Sequence, residues 1–190
     1  MQFRNTKERF GAVTKTFHWT IALFIACLIC LGIYLEDYAT TPEKIRLFPV
    51  HKEFGICVLM LATARVLWHL YSRPPGSLAS LKAWETWGAR IAHALLYLAM
   101  FVMPLSGWLL SSAAGKSVSF FGLFMLPDLV AKSEELKEFF EEVHGIAGWS
   151  LIPLIALHAA GALKHHFIDK DITLRRMLPF GLKDQGENSP

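Results

Sequence analysis

Apolar residues gather in four runs, at 16–35, 54–71, 91–110 and 144–163, with charged links between them. Each run is close to the roughly 20 residues with which a helix crosses a bilayer. None alternates polar and apolar positions as a barrel strand would, so all four predict helices. The second carries Arg65 and His69 and is the weakest on hydropathy. A buried helix of a soluble protein gives the same local pattern. Four such runs in 190 residues, spaced by charged links, instead predict an all-α, transmembrane, up-and-down four-helix bundle.

Lysine and arginine set the orientation. Arg4, Lys7, Arg9 and Lys15 precede the first run, and Arg73, Lys82 and Arg90 join the second to the third. Five more follow from Lys164 onward, so twelve lie on that side. The opposite side has six: Lys44, Arg46 and Lys52, then Lys116, Lys132 and Lys137. Both termini are therefore expected in the cytoplasm. The first run is longer than a signal-peptide core and no A-x-A-like site follows it, so it reads as a retained span.

Composition narrows the class. Hydrophobic residues make 53% of the chain and charged ones 18%, against roughly 25% charged in an ordinary globular protein. A disordered chain and a nucleic-acid binder are both poor fits. Cys27, Cys30 and Cys57 lie inside apolar runs, which argues against a disulfide framework. The mid-span pair Cys27 and Cys30 reads as small packing residues rather than a redox motif. In the third link, residues 118–124 read as an interfacial segment and 133–142 as a short helix running into the fourth span. Residues 1–180 form one transmembrane domain, and 181–190 read as a disordered tail.

The surplus is histidine, of which there are eight. Ionisable groups inside membrane spans are costly and mark function by default. His144 and His158 are 14 residues apart, which puts them within about 40° of one helix face and about 21 Å apart in depth. By topology His51 shares the outer level with His144, and His18 the inner level with His158. Two axial imidazoles from facing helices at one level are what an iron porphyrin needs, and this chain offers that twice. No C-x-x-C-H motif is present, so two b-type haems are expected. Zinc or copper would need its ligands around one centre, which a ladder this long cannot supply. Gly55, Gly148 and Gly161, each about one turn past a histidine, would leave room for a flat macrocycle; generic small-residue packing explains them equally.

Arg65 falls at the depth of the inner pair, where a haem propionate is one partner and snorkelling to the interface the other explanation. His69, His93, His165 and His166 all sit toward the cytoplasmic face. Quinone reduction consumes protons, and His165, two turns past His158 on the same face, is the favoured quinone contact. Lys164, His165 and His166 could equally cap the helix at the headgroups. Pro104 and Pro153 are expected to bend the third and fourth spans.

Several stretches carry a family resemblance: Thr16-Phe17-His18-Trp19, His51-Lys52-Glu53-Phe54-Gly55, Ile91-Ala92-His93-Ala94-Leu95-Leu96-Tyr97, Val143-His144-Gly145, and 157–167 continuing through 171–177. With these the chain resembles the bacterial cytochrome b561 family of small dihaem membrane proteins. More distantly it is similar to the cytochrome b subunits of formate dehydrogenases and nickel-iron hydrogenases. The resemblance implies a multi-pass protein of the bacterial inner membrane. His18 and His158 would bind the inner haem, His51 and His144 the outer one. Some members are superoxide oxidases, passing electrons from periplasmic superoxide to ubiquinone, with a quinone histidine that matches His165. The third link, with three lysines against six acids, is a poor funnel for an anion, whereas Lys44, Arg46 and Lys52 could make a local positive mouth. The expected partners are quinone, membrane lipid and a periplasmic donor, either superoxide or a redox protein. The alternative is a membrane-anchor subunit relaying electrons between quinone and a partner protein. A non-haem membrane protein with histidine proton relays is a third reading.

Overall fold

The computed structural model describes residues 2–78 and 81–179. Four long helices carry the apolar runs: α1 (Ala12–Asp37), α2 (Thr41–Tyr71), α3 (Ala83–Ala113) and α4 (Glu134–Phe167). A short α5 (Thr173–Met177) follows. All four long helices are long and apolar enough to cross a membrane; α1, α3 and α4 exceed their apolar runs at both ends and α2 at its start. Large apolar side chains point outward along them, among them Leu23, Leu67, Leu98 and Leu157. Lipid covers such a surface at no cost, so little needs to be buried. The small interior cluster is Ile21, Ala62 and Met100, flanked by Ile25, Leu61, Tyr97 and Phe101.

Local chemistry sets the helix boundaries. The Thr40 amide and hydroxyl both donate to Glu43, at 2.8 and 2.7 Å, which caps α2. The Lys82 amide donates to Glu85 at 2.9 Å where α3 begins. Ser133 accepts from the Leu136 amide at the start of α4. Glu134 and Glu135 occupy the first turn of α4 and Lys164, His165 and His166 the last, which complements the helix dipole at both ends.

Consecutive helices pack as neighbours, α1 on α2, α2 on α3, and most extensively α3 on α4. Between α4 and both α1 and α2 the described residues make at most slight backbone contact, which leaves a slot through the bundle. The two ends of the bundle differ. At one end β1 (Ser119–Phe120) pairs with β2 (Phe124–Met125) as an antiparallel hairpin, in register Ser119 with Met125. Its turn places Phe121 and Gly122 at φ 49° and 73°. Glu53 accepts from the Phe121 amide at 3.1 Å, and the Phe121 ring meets Phe54 edge-on at 5.5 Å. These two contacts from α2 hold a non-glycine residue in a conformation it would otherwise avoid.

At the other end the termini are knitted together. Asn5 makes two hydrogen bonds to Ser72, and its side chain accepts from the Gly11 amide. A Cβ on Gly11 would sit 2.3 Å from the Phe3 carbonyl oxygen, so only glycine fits this close approach. Arg176 is buried and donates to the carbonyls of Glu8 (2.8 Å) and Gly76 (3.1 Å). Trp19 and Lys15 of α1 donate to the Met177 and Leu178 carbonyls.

Three expectations change. Residues 118–124 form most of a hairpin rather than a plain interfacial segment, because positive φ at Phe121 and Gly122 reverses the chain. The short helix expected at 133–142 is the first part of one unbroken α4, since nothing in that stretch ends a helix. Cys27 and Cys30 are free and exposed on the outside of α1, so they do not pack inside the bundle. The tail at 181–190 lies outside the described residues.

Replacing Arg176 by Ala removes two hydrogen bonds made by a charged, buried donor, each worth about 1.5–3 kcal/mol. Arg176→Ala in detergent should unfold several degrees lower than the parent while Lys7→Ala does not, as read by a thermal melt.

Candidate functional site

Two pairs of imidazoles span the slot. His18 of α1 faces His158 of α4 with ring centroids 6.2 Å apart and planes at 64°. His51 of α2 faces His144 of α4, also at 6.2 Å, with planes at 73°. Along α4 the pairs are separated by 14 residues, or about 21 Å of helix. The His18 pair lies toward the termini and the His51 pair toward the hairpin.

Each ring is seated by specific neighbours. His144 Nδ1 lies 3.1 Å from the Met103 carbonyl oxygen and 3.1 Å from Ser106 Oγ. A carbonyl only accepts, so Nδ1 donates and Nε2 is left with its lone pair. The α3 backbone approaches closely because residue 107 is glycine: a Cβ there would lie 3.1 Å from His144 Cε1. A Cβ on Gly32 of α1 would likewise meet His51 Cε1 at 3.4 Å. His51 Nδ1 is buried without a protein partner among the described residues. At the other pair, Arg65 Nη1 lies 3.3 Å from His18 Nδ1, and the His93 ring meets His158 at 5.1 Å.

The separation can be tested against a metal. A metal–imidazole bond of about 2 Å, plus about 1.1 Å from nitrogen to ring centre, puts two opposed imidazole centroids about 6 Å apart. Both pairs match that span. The donor set therefore fits an iron porphyrin held by two imidazoles at either level.

Beyond His158, α4 ends in a charged network. His165 Nδ1 lies 2.8 Å from Asp169 and 2.9 Å from Asp171. Lys164 pairs with Glu85 of α3 and, at 2.6 Å, with Asp169. Glu85, His165 and Asp169 bring three ligand-type atoms within 4.8 Å of one another. The Lys164 ammonium already pairs with both carboxylates, so this is an ion-paired network rather than a metal cavity. Burial would raise the Asp171 carboxyl, but the Thr173 amide at 2.7 Å and His165 outweigh it and hold the carboxyl below its ordinary value.

The residues singled out from the sequence thus come together in part. His18 meets His158, His51 meets His144, and Arg65 reaches the His18 pair. His165 and His69 stand outside both pairs, the former held by aspartates and the latter by Tyr97. The glycines that seat imidazoles are Gly32 and Gly107; a Cβ on Gly55 or Gly161 meets nothing within 4 Å, and one on Gly148 meets only Met103. Sequence reasoning missed Ser106, Gly107, Tyr97 and Asp171. The adjacent Ser106 and Gly107 inside an apolar run, and two aspartates within six residues of His165, were the available signals.

The chain matches the prokaryotic cytochrome b561 family over residues 9–180. It is 38% identical over 193 residues to cytochrome b561 homolog 2 of Escherichia coli (strain K12), covering 98% of this chain and all of that one. Cytochrome b561 homolog 1 of the same organism is 34% identical over 90% of this chain and 98% of its own length. A probable superoxide oxidase CybB of Yersinia pestis is 26% identical over 90% of this chain and 97% of its own. The chain belongs to the prokaryotic cytochrome b561 family: it is a multi-pass protein of the bacterial inner membrane, an electron-transfer cytochrome with b-type haem.

Because Asp171 titrates below its ordinary value when folded, its contacts are present above the unfolded value of 3.8 and are lost as pH falls through the lower folded one. The Thr173 amide resonance should accordingly titrate with a midpoint below 3.8, and Asp171→Asn should abolish that transition.

Proposed function

We propose that this protein carries two b-type haems and moves single electrons from the hairpin end, facing the periplasm, to ubiquinone at the cytoplasmic termini end. The observation that carries this reading is the repeated 6.2 Å imidazole separation at two levels of α4. His18 and His158 would hold the inner haem, His51 and His144 the outer. When bound, such groups supply one-electron transfer with no open iron position, since both axial sites are filled.

The protein's own residues supply orientation, charge and a quinone contact. Met103 and Ser106 fix the His144 tautomer that leaves Nε2 free for a metal. Arg65 would pair with a propionate of the inner haem. At the hairpin end Lys52, one residue from His51, donates from Nζ to the Lys116 carbonyl at 3.4 Å, which brings a cation of the first link, with Lys44 and Arg46, to that end. That local positive mouth supports superoxide as the donor, as does the similarity to a probable superoxide oxidase. The reaction balances as two superoxide anions, one ubiquinone and two protons giving two dioxygen molecules and one ubiquinol. His165, its ring held at Nδ1 by Asp169 and Asp171, would be the quinone contact. The partners on this reading are a quinone, lipid and a small periplasmic anion.

His51→Ala and His144→Ala should each remove one haem and spare the other, and His18→Ala and His158→Ala should do the converse. Retention of both haems in any of the four would break the pairing. Stopped-flow mixing with superoxide should reduce the purified holoprotein within the mixing experiment and reoxidise it on adding ubiquinone. A lone chain inert to superoxide, yet reduced by a periplasmic redox protein, would replace the superoxide reading with that of a membrane-anchor subunit.

A further inference from the structure

A third polar assembly lies between α2 and α3 beside the His18 pair. Arg65 Nε donates to the Tyr97 hydroxyl at 3.1 Å, and that hydroxyl lies 3.0 Å from His69 Nδ1. A guanidinium has donors only, so the Tyr97 oxygen accepts from Arg65; His69 Nδ1 is the acceptor within reach of the phenol hydrogen among the described residues, and that hydrogen is assigned to it. A neutral histidine that accepts at Nδ1 carries its hydrogen on Nε2. His69 Nε2 is buried and has no partner among the described residues. The chain of hydrogen bonds therefore runs in one direction and ends in an unspent donor.

Arg65 presents the same want from its other side. Its Nη1 lies 3.3 Å from His18 Nδ1, which accepts only while the His18 hydrogen is on Nε2. With a metal on Nε2 that hydrogen would sit on Nδ1 and set donor against donor. Among the described residues no carboxylate pairs with Arg65. A guanidinium at membrane depth needs an anion, and here two unspent donors sit four residues apart on one face of α2.

We infer that Arg65 and His69 form a two-donor cradle for a carboxylate, with Tyr97 as the positioning residue that fixes the His69 tautomer. The carboxylate is a propionate of the haem held by His18 and His158, so this inference rests on the haem reading above. A fatty-acid carboxylate has the same chemistry and is the other source the test must separate. Donors on a propionate draw negative charge away from the neighbouring iron and favour its reduced state.

The test is a spectroscopic redox titration of the detergent-purified holoprotein, paired with resonance Raman of the propionate bending modes. His69→Leu should lower one of the two midpoint potentials, shift a propionate band and leave the other potential in place. His69→Gln keeps an acceptor for Tyr97 and a donor for the carboxylate, and should restore both readouts. Tyr97→Phe leaves α2 untouched and should lower the same potential by a smaller amount, which keeps the test open should His69→Leu not fold. Unchanged potentials and bands overturn the inference, as does equal behaviour of Leu and Gln. Release of a bound fatty acid from His69→Leu without a propionate shift overturns it in favour of the lipid source. Retention of both haems in His18→Ala and His158→Ala would instead strike the haem reading, a result these variants at Tyr97 and His69 cannot produce.

Discussion

The structure depends on a separation. α4 packs along α3 yet stands away from α1 and α2, and imidazoles reach across the slot at two levels. In water an open slot of this kind would collapse, because apolar walls gain by closing. In a membrane the walls gain nothing from each other that lipid does not already give, so the width is set by what the polar side chains hold. Histidine, arginine and tyrosine at membrane depth are tolerated only when they are satisfied. Haem would satisfy the histidines and, through a propionate, Arg65, which ties the stability of the bundle to its cofactor.

The two ends of the bundle are anchored by different contacts. The termini end is stitched by Asn5, Arg176, Trp19 and Lys15 to three separate segments. At the hairpin end Glu53 and Phe54 hold the turn, Lys52 and Trp108 donate to the Lys116 and Pro127 carbonyls, and the Leu129 amide donates to Ser112. The hairpin, with Phe121, Leu123 and Phe124 exposed, suits contact with the membrane interface. Charge follows the same division: Lys52, next to His51, reaches the Lys116 carbonyl, while the termini end pairs its cations with Glu85, Asp169 and Asp171.

Much of this was legible in the residues. A 14-residue interval fixes depth and face together, so His144 and His158 announced two levels before any helix was placed. Parity of the spans then assigned His51 and His18 to those levels. The glycines misled because spacing along one helix says nothing about which neighbour approaches: Gly32 and Gly107 matter through contacts from other helices. The chain from Arg65 through Tyr97 to His69 was hidden for the same reason, since Tyr97 belongs to α3 and its hydroxyl is visible only once α2 and α3 are packed. The hairpin escaped because a positive φ at Phe121 is imposed by Glu53 and Phe54, far away in sequence.

The most direct measurement counts haem b and iron against polypeptide in the detergent-purified protein, with low-temperature EPR to identify the axial ligands. Two low-spin, bis-imidazole irons for each chain is the expected result. One iron per chain, or a high-spin centre with an open position, would contradict the assignment of two imidazole pairs to two haems.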